Sequence, residues 1–388
     1  MSHLMPTYAP MPVAFTHGNG AYLYDKDNNA YLDALGGIAV SALGHNHPAI
    51  TKTICDQAQK VLHTSNVYEI PNSIELADKF CKAAGMEQVF FGNSGAEANE
   101  CAIKLARLYG HKKGINIPQI IVFETSFHGR TLATLSATAS EKVRAGFDPY
   151  VEGFIRAPFN DIDAVEAILK KHNDIAAIMV EPIQGEGGIH VPAKDYLKQL
   201  RALCDKYDCL LIIDEIQTGM GRTGKLFAYM HSNIKPDIVT SAKALGNGIP
   251  IGACLVQGKA LDLMSVGMHG STFGGNPFAT KVASTVLDVL QKDNLIERAG
   301  VLGERIQTKL REQLKDNPHV KAIRGQGLMI GIELDKPCRD AMLIGLKHGI
   351  LFNVTANNVI RLLPPYILTD DEADEVVKRV VATIEEFS

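Results

Sequence analysis

Several protein classes are excluded by what this chain has little of. No apolar run approaches the roughly 18 residues that a membrane-spanning helix needs, because the most apolar stretches, such as Ile175 to Val180, are soon interrupted by charged or polar residues. Basic runs are missing as well: 39 Lys and Arg face 43 Asp and Glu, a net charge of −4. Neither nucleic acid nor an anionic membrane is therefore an expected partner. The seven cysteines (Cys55, Cys81, Cys101, Cys204, Cys209, Cys254 and Cys338) are odd in number, and no two are spaced as C-x-x-C. That argues against a disulfide framework and a zinc ribbon, and for reduced thiols in a cytoplasmic protein. Met1 to Pro12 carries Pro6 and Pro10 and lacks the charged-then-apolar pattern of a secretory leader. Internal repeats and low-complexity segments are not seen.

What remains is a globular composition, 46% hydrophobic and 21% charged over 388 residues, enough for two domains. Ala21 to Tyr24 and Ala30 to Asp33 read as strands around the turn cluster Asp27-Asn28-Asn29. From His47 the pattern alternates between helix and strand. His47 to His63 has helical spacing, and Asn72 to Glu75 reads as the capping signal of a helix ending near Gly85. Short strands follow at Gln88–Phe91, Gln119–Phe123, Ile175–Val180, Cys209–Ile213 and Asp237–Thr240, with helices such as Ala96 to Tyr109 and Ala193 to Tyr207 between them. Near-continuous apolar strands separated by helices predict a mostly parallel sheet covered on both faces. After Pro277 come two long helices (Phe278 to Lys292, Asn294 to Leu314), a hairpin around Gly325 to Gly327, and a last amphipathic helix from Asp370 to Phe387. The expected division is a large domain over 45–284 and a small α+β domain from 1–44 and 285–388.

Three short motifs invite chemistry. Gly92-Asn-Ser94-Gly-Ala96, between a strand and a helix, fits a hydrolase nucleophile elbow through Ser94, a phosphate cup of backbone N–H groups, or a plain serine cap; the motif alone leaves all three open. Gly219-x-Gly221-x-x-Gly224 matches a dinucleotide fingerprint, but no helix opens after Gly224, so a glycine-rich turn is expected. His45-x-His47 has no carboxylate or cysteine at ligand spacing, and Pro48 makes it the flank of a helix start; no metal is expected.

Asp214, Gln217 and Lys243 carry more weight. Asp214 follows an apolar strand, which puts its carboxylate at the carboxyl edge of the sheet, where open α/β folds bind ligands. Lys243 follows another strand among small and apolar residues, a setting that favours the neutral, nucleophilic amine.

Six segments occur in order: Gly92 to Asn99, Phe127 to Thr131, Glu181-Pro-Ile-Gln-Gly-Glu186, Ile213 to Gly219, Ser241-Ala-Lys243 and Gly270-Ser-Thr-Phe-Gly-Gly-Asn-Pro277. With them the chain resembles the class III (ω-) aminotransferases, nearest the branch that acts on acetylornithine. The resemblance spans Tyr8 to the last helix. It implies the aspartate-aminotransferase type of fold, with a mostly parallel seven-stranded sheet, pyridoxal 5′-phosphate as cofactor, and a homodimer with shared active sites. It implies that Lys243 carries the cofactor covalently and shuttles a proton, and that Asp214 faces the ring nitrogen. Gln217 falls to the ring oxygen and Phe127 and His128 to the ring. Ser94, Gly95 and Ala96, with Thr272 of the other subunit, take the phosphate. Arg130, with Ser271 of the other subunit, is implied for the substrate's α-carboxylate, and Arg361 for the α-carboxylate of glutamate or 2-oxoglutarate, with Glu186 as its partner. Ile38 stands where ornithine-specific relatives have tyrosine. Two departures from the family pattern are Ala96, where many relatives have threonine, and Asn46. Other ω-amines (ornithine, succinylornithine, 4-aminobutyrate), a role on N-succinyl-diaminopimelate, and an aminomutase remain alternatives, and a hydrolase using Ser94 is the reading from a different class.

Overall fold

The computed structural model describes residues 3–387. Its centre is a seven-stranded sheet whose spatial order is 88–92, 252–256, 238–241, 210–214, 175–180, 119–123, 154–157. All neighbours run parallel except Gly252–Val256, which is antiparallel to both strands beside it. The alternation expected of a sheet covered on both faces is explicit. Ile121, Phe123, Ile178, Val180, Leu211 and Ile213 join one apolar cluster. Ile120, Val122, Ala177, Met179, Leu210 and Ile212 join the other, together with the helix Gly95–Lys112. The two strands that sequence reading missed, Phe154–Ala157 and Gly252–Val256, are short; the first is an edge and the second opens on a glycine.

Two smaller four-stranded sheets complete the fold. One joins Phe15–Asn19, Tyr22–Asp25 and Ala30–Asp33 to Ile350–Leu351, which pairs in parallel with Ala30–Asp33. The N-terminal strands thus pair with a strand of the C-terminal part. The other holds the hairpin Val320–Gln326/Met329–Leu334 with Val359–Leu362 and Asn353–Thr355. Helices Leu295–Leu314 and Asp370–Phe387 pack against them, while Pro277–Lys292 packs on the helices Pro48–Ala58 and Pro71–Ala84.

One capping expectation is corrected. The helix Pro71–Ala84 begins on proline, with Ile70 before it and no side-chain cap. Proline at the first helical position presets φ for the helix and removes one N–H that would have no intrahelical acceptor, and it makes Ile70, which has no capping side chain, the N-cap residue. Asn72 instead donates to the Pro277 carbonyl (2.9 Å) and to Gln57 (3.3 Å). The helix after His47 is Pro48–Ala58, shorter than its apolar spacing suggested. The cysteines are free thiols, and all but Cys55 are buried. No helix among the described residues is long and apolar enough to cross a membrane.

The reversed strand fixes the floor under the helix Gly95–Lys112. A Cβ on Gly252 would lie 2.1 Å from the Ser94 carbonyl oxygen, which is backbone and cannot swing aside. Gly252→Ala should therefore lower unfolding free energy by about 1–3 kcal/mol, as overpacking does, and should also loosen ligand binding at that helix start. Calorimetry of the ligand-free and ligand-bound protein checks both effects; an unchanged melting temperature in both would show that the strand simply slides.

Candidate active site

The carboxyl edge of the sheet carries the chemistry, because every parallel strand ends there in a loop. These loops enclose a cavity of about 460 Å3 lined by Ser94, Gly95, Ala96, Phe127, His128, Arg130, Glu181, Glu186, Asp214, Gln217 and Lys243, with Val40, Ile216 and Ile249 to Ile251 as apolar wall. Strand pairing sets the central residues: Asp214 ends its strand opposite Thr240, and Lys243 follows Ser241 on the neighbouring strand.

At Gly95 and Ala96 the helix Gly95–Lys112 opens onto this cavity. As its first two residues they have no intrahelical acceptor for their N–H groups, so the helix offers an anion site. Ser94 is the N-cap, its hydroxyl accepting from Glu97 N (3.2 Å). That fits the cup and the cap together and leaves the hydrolase reading without support, since no histidine bonds Ser94 among the described residues.

Asp214 is buried and accepts three N–H donors. Asn99 Nδ2 and His128 Nδ1 both meet Oδ2 at 2.8 Å, and Ile216 N meets Oδ1 at 3.1 Å. Burial alone would push the His128 imidazole down, but Asp214 beside it raises it above its ordinary value. Glu181 lies in the same wall; burial pushes its carboxyl up to about 7, with His128 pulling the other way. Its oxygens accept from Phe127 N (3.0 Å) and Gly185 N (3.3 Å), tying two loops of the cavity together.

Lys243 sits in a turn with left-handed φ, its amine facing the cavity. Burial pushes the amine down to about 8, against the opposing pull of Glu186.

Arg361, on strand Val359–Leu362, is fully buried. Its Nη1 donates to Glu186 Oε1 (2.6 Å) and Gln217 Oε1 (3.1 Å), and its Nε to Asn353 (3.1 Å). Burial would raise the Glu186 carboxyl, yet Arg361, with help from Lys243, brings it below its ordinary value. Arg130 is exposed at the mouth with its guanidinium 5.7 Å from the Phe127 ring centre, and no carboxylate pairs with it among the described residues.

Ile38, expected at the substrate, is not brought to this cavity, and Ser271 and Thr272, expected to serve the other subunit, lie outside the cavity of their own chain. Ser271 accepts from Asn93 (3.0 Å) and Gly274 N (2.9 Å), and Thr272 is exposed. Ile38 packs beside Ala39, Ile183, Ile189, Met329 and Leu363. It lies in a left-handed turn, Gly36 to Ala39, with φ of 66° at Ile38 itself. Left-handed backbone costs a β-branched residue about 1–3 kcal/mol, and the turn delivers Val40 to the cavity instead. His45 bonds Asp33 (2.8 Å) and His47 is the N-cap residue of Pro48–Ala58. The 219–224 segment is a turn with positive φ at Gly221 and Gly224. Among the described residues no cluster could hold a metal.

Sequence reasoning had assigned no role to Asn99, Glu181 or Val40. Asparagine inside a helix is a poor helix former, and that is the one signal that pointed at Asn99.

The family model described as aminotransferase class-III matches residues 4–384. The acetylornithine aminotransferase of Nitrosomonas europaea is 50% identical over 387 residues, covering 100% of this chain and 98% of that protein. That of Aquifex aeolicus is 46% identical, covering 97% and 98%. Among solved structures, the ornithine aminotransferase of Toxoplasma gondii matches with a TM-score of 0.96 at 35% identity, covering 99% of this chain and 93% of that one. The acetylornithine aminotransferase of Elizabethkingia anophelis matches with 0.89 at 37%, covering 99% and 96%.

An amine at about 8 is half neutral at pH 8, where an ordinary lysine near 10.4 is neutral in about one molecule in 250. In protein free of small molecules, limiting amounts of an acylating reagent should label Lys243 ahead of exposed lysines. Its rate should rise as the pH passes through about 8 and then level off. Peptide mass spectrometry reads the profile; a rate still climbing at pH 10 would contradict the burial argument.

Proposed function

The chain belongs to the class-III aminotransferases, and from that membership we propose that it transfers the terminal amino group of N2-acetyl-L-ornithine to 2-oxoglutarate. The products are N-acetyl-L-glutamate 5-semialdehyde and L-glutamate, a step of arginine biosynthesis, and the cofactor is pyridoxal 5′-phosphate.

The cavity fits that cofactor. A helix start with free N–H groups suits the phosphate, the Asp214 carboxylate suits a protonated ring nitrogen, and a half-neutral Lys243 suits covalent attachment. The His128 Nε2 and Arg361 Nη2 atoms are buried without a partner among the described residues. When bound, pyridoxal phosphate supplies a carbonyl carbon that accepts the amino group and a ring that withdraws electrons from the reacting carbon. Phe127 and Ile216 line the cavity and exclude water from the ring. Lys243 Nζ takes up and returns the proton at the reacting carbon.

The observation that carries the substrate reading is the unlike state of two arginines. Arg130 at the mouth has no carboxylate partner among the described residues and is ready for a distal carboxylate, while buried Arg361 is neutralised by Glu186 at 2.6 Å. In this state the pocket suits an ω-amine whose near side is uncharged. The wall of Val40, Ile249, Pro250 and Ile251 favours an acylated α-nitrogen over a free ammonium. Glutamate needs Arg361 freed, so Glu186 must swing away in the second half-reaction.

The experiment is single-turnover spectroscopy of each half-reaction with acetylornithine, ornithine and glutamate. Acetylornithine should outrun ornithine; the reverse order would overturn the substrate assignment. Glu186→Ala should slow the acetylornithine half-reaction and spare the glutamate one. Arg361→Ala should cost the glutamate half-reaction about 1.5–3 kcal/mol of carboxylate recognition. Equal damage to both halves in both variants would reduce the pair to a structural role.

The reading includes a cytoplasmic homodimer, with a large domain over 45–284 and a small one from both termini. Met1, Ser2 and Ser388 of that small domain lie outside the described residues. Leu62, Val67, Tyr68, Val266 and Phe273 are all exposed. Asn66 donates to the Ser271 and Gly274 carbonyls, and the His63 ring lies tilted beside Phe273 at 5.4 Å, so the segments around residues 62–68 and 271–274 form one patch at Thr272. An apolar patch of this kind marks an interface. Hybrid dimers of a Lys243→Ala chain with a Thr272→Asp chain should keep one intact site and half the parental activity. Loss of activity at both sites would place Thr272 in its own chain's site.

A further inference from the structure

Asn99 is fully buried in the second turn of the helix Gly95–Lys112, where neither propensity nor packing calls for a polar side chain. Its amide is saturated. Oδ1 accepts from the Thr240 hydroxyl (2.8 Å); Nδ2 donates to Asp214 Oδ2 (2.8 Å) and to the His128 carbonyl (2.8 Å). The opposite amide orientation would set Oδ1 against a carboxylate and a carbonyl, two acceptors with nothing to donate. The chemistry of the neighbours therefore fixes the orientation.

Asp214 Oδ2 receives both Asn99 and His128, so its lone pairs are used. Oδ1 receives Ile216 N alone. The acceptor capacity left for a group in the cavity is on Oδ1. We propose that Asn99, oriented by Thr240, is a positioning residue that clamps Asp214 Oδ2 and the His128 loop so that Oδ1 faces the ring nitrogen of the bound cofactor. The inference rests on Asp214 being the carboxylate that meets that ring.

The discriminating variant is Asn99→Asp, the same shape with acceptors where the amide had donors. It can bond Asp214 only when one of the two carboxyls is protonated. As pH falls, the protonated form restores one donor, so the deficit should shrink. The other ionisable groups around Asp214 are His128, Glu181, Glu215 and Lys243, and all remain in the variant, so the parent protein controls for them.

The holoenzyme is titrated by cofactor absorbance between pH 5.5 and 9, and cofactor release is followed by dialysis. Turnover is measured separately. In Asn99→Asp the absorbance midpoint should move by about one pH unit or more, a tenfold change in the proton equilibrium. Turnover relative to the parent should rise as the pH is lowered. Thr240→Val removes only the hydroxyl that orients the amide, and it should move the midpoint the same way by less. Should Asn99→Asp fail to fold, Thr240→Val decides. An unmoved midpoint with a flat activity ratio overturns the proposal. Asp214→Ala is the separate control: if it too leaves the spectrum unchanged, the fault lies with the role of Asp214 and not with Asn99.

Discussion

A charged carboxylate buried in a protein interior is stable only when donors converge on it, and the architecture around the cavity follows from meeting that requirement at Asp214. The donors come from Asn99 on a helix, from His128 after a different strand, and from Ile216 in the turn after Asp214's own strand. They meet because the strands leading to them run parallel and end at one edge, with the helix Gly95–Lys112 laid across the sheet behind. Thr240, one strand over, orients the asparagine. The apolar faces of the sheet supply the driving force for folding, but it is register that brings these polar groups to one point.

The same desolvation argument governs the arginines in the opposite sense. Arg361 is wholly buried and could not stand unpaired; Glu186, Gln217 and Asn353 share it. The backbone of Glu186 is held too, since Thr355 bonds its carbonyl and Arg324 bonds the Gly188 (2.7 Å) and Ile189 (2.9 Å) carbonyls beyond it. The turn is fixed through its backbone, and the Glu186 side chain is held separately by Arg361 and Gln217. Arg130, in water, needs no partner and has none among the described residues. In the proposed function, one arginine in each dielectric lets a single pocket meet two carboxylates differently.

Much of this was legible in the sequence where the signal is local. The apolar strands, the glycine turn at 219–224 and the C-terminal helices follow from periodicity and turn chemistry. Lys243 and Asp214 follow from their places after strands. The reversed strand Gly252–Val256 was not legible, because direction is set by pairing and leaves no mark in five residues. Asn72 misled because a capping residue and a first-turn residue look alike until Pro71 claims the position. Ile38 and Val40 are separated by a left-handed turn, and a run containing isoleucine at positive φ is not what sequence alone predicts. Asn99 was quoted within a motif yet given no role, since its partners lie 29, 115 and 141 residues away.

Beside the ion-paired Glu186, three carboxyls crowd this edge of the sheet: Asp214, Glu181 and Glu215. Burial pushes Glu181 and Glu215 each up to about 7. Glu215 is committed to Thr218 (2.6 Å) and Tyr229 N (2.8 Å), bracing the chain beyond the strand. Glu181 is committed to Phe127 N and Gly185 N, bracing the cavity wall. Both bind backbone or hydroxyl donors and so act as struts. Asp214 alone gathers side-chain nitrogen donors from other elements while keeping an oxygen toward the cavity. Like charges so close cannot all ionise at once. Burial raises the proton affinity of Glu181 and Glu215, which lessens the repulsion on the third carboxyl, the one that the proposed function sets against the cofactor ring.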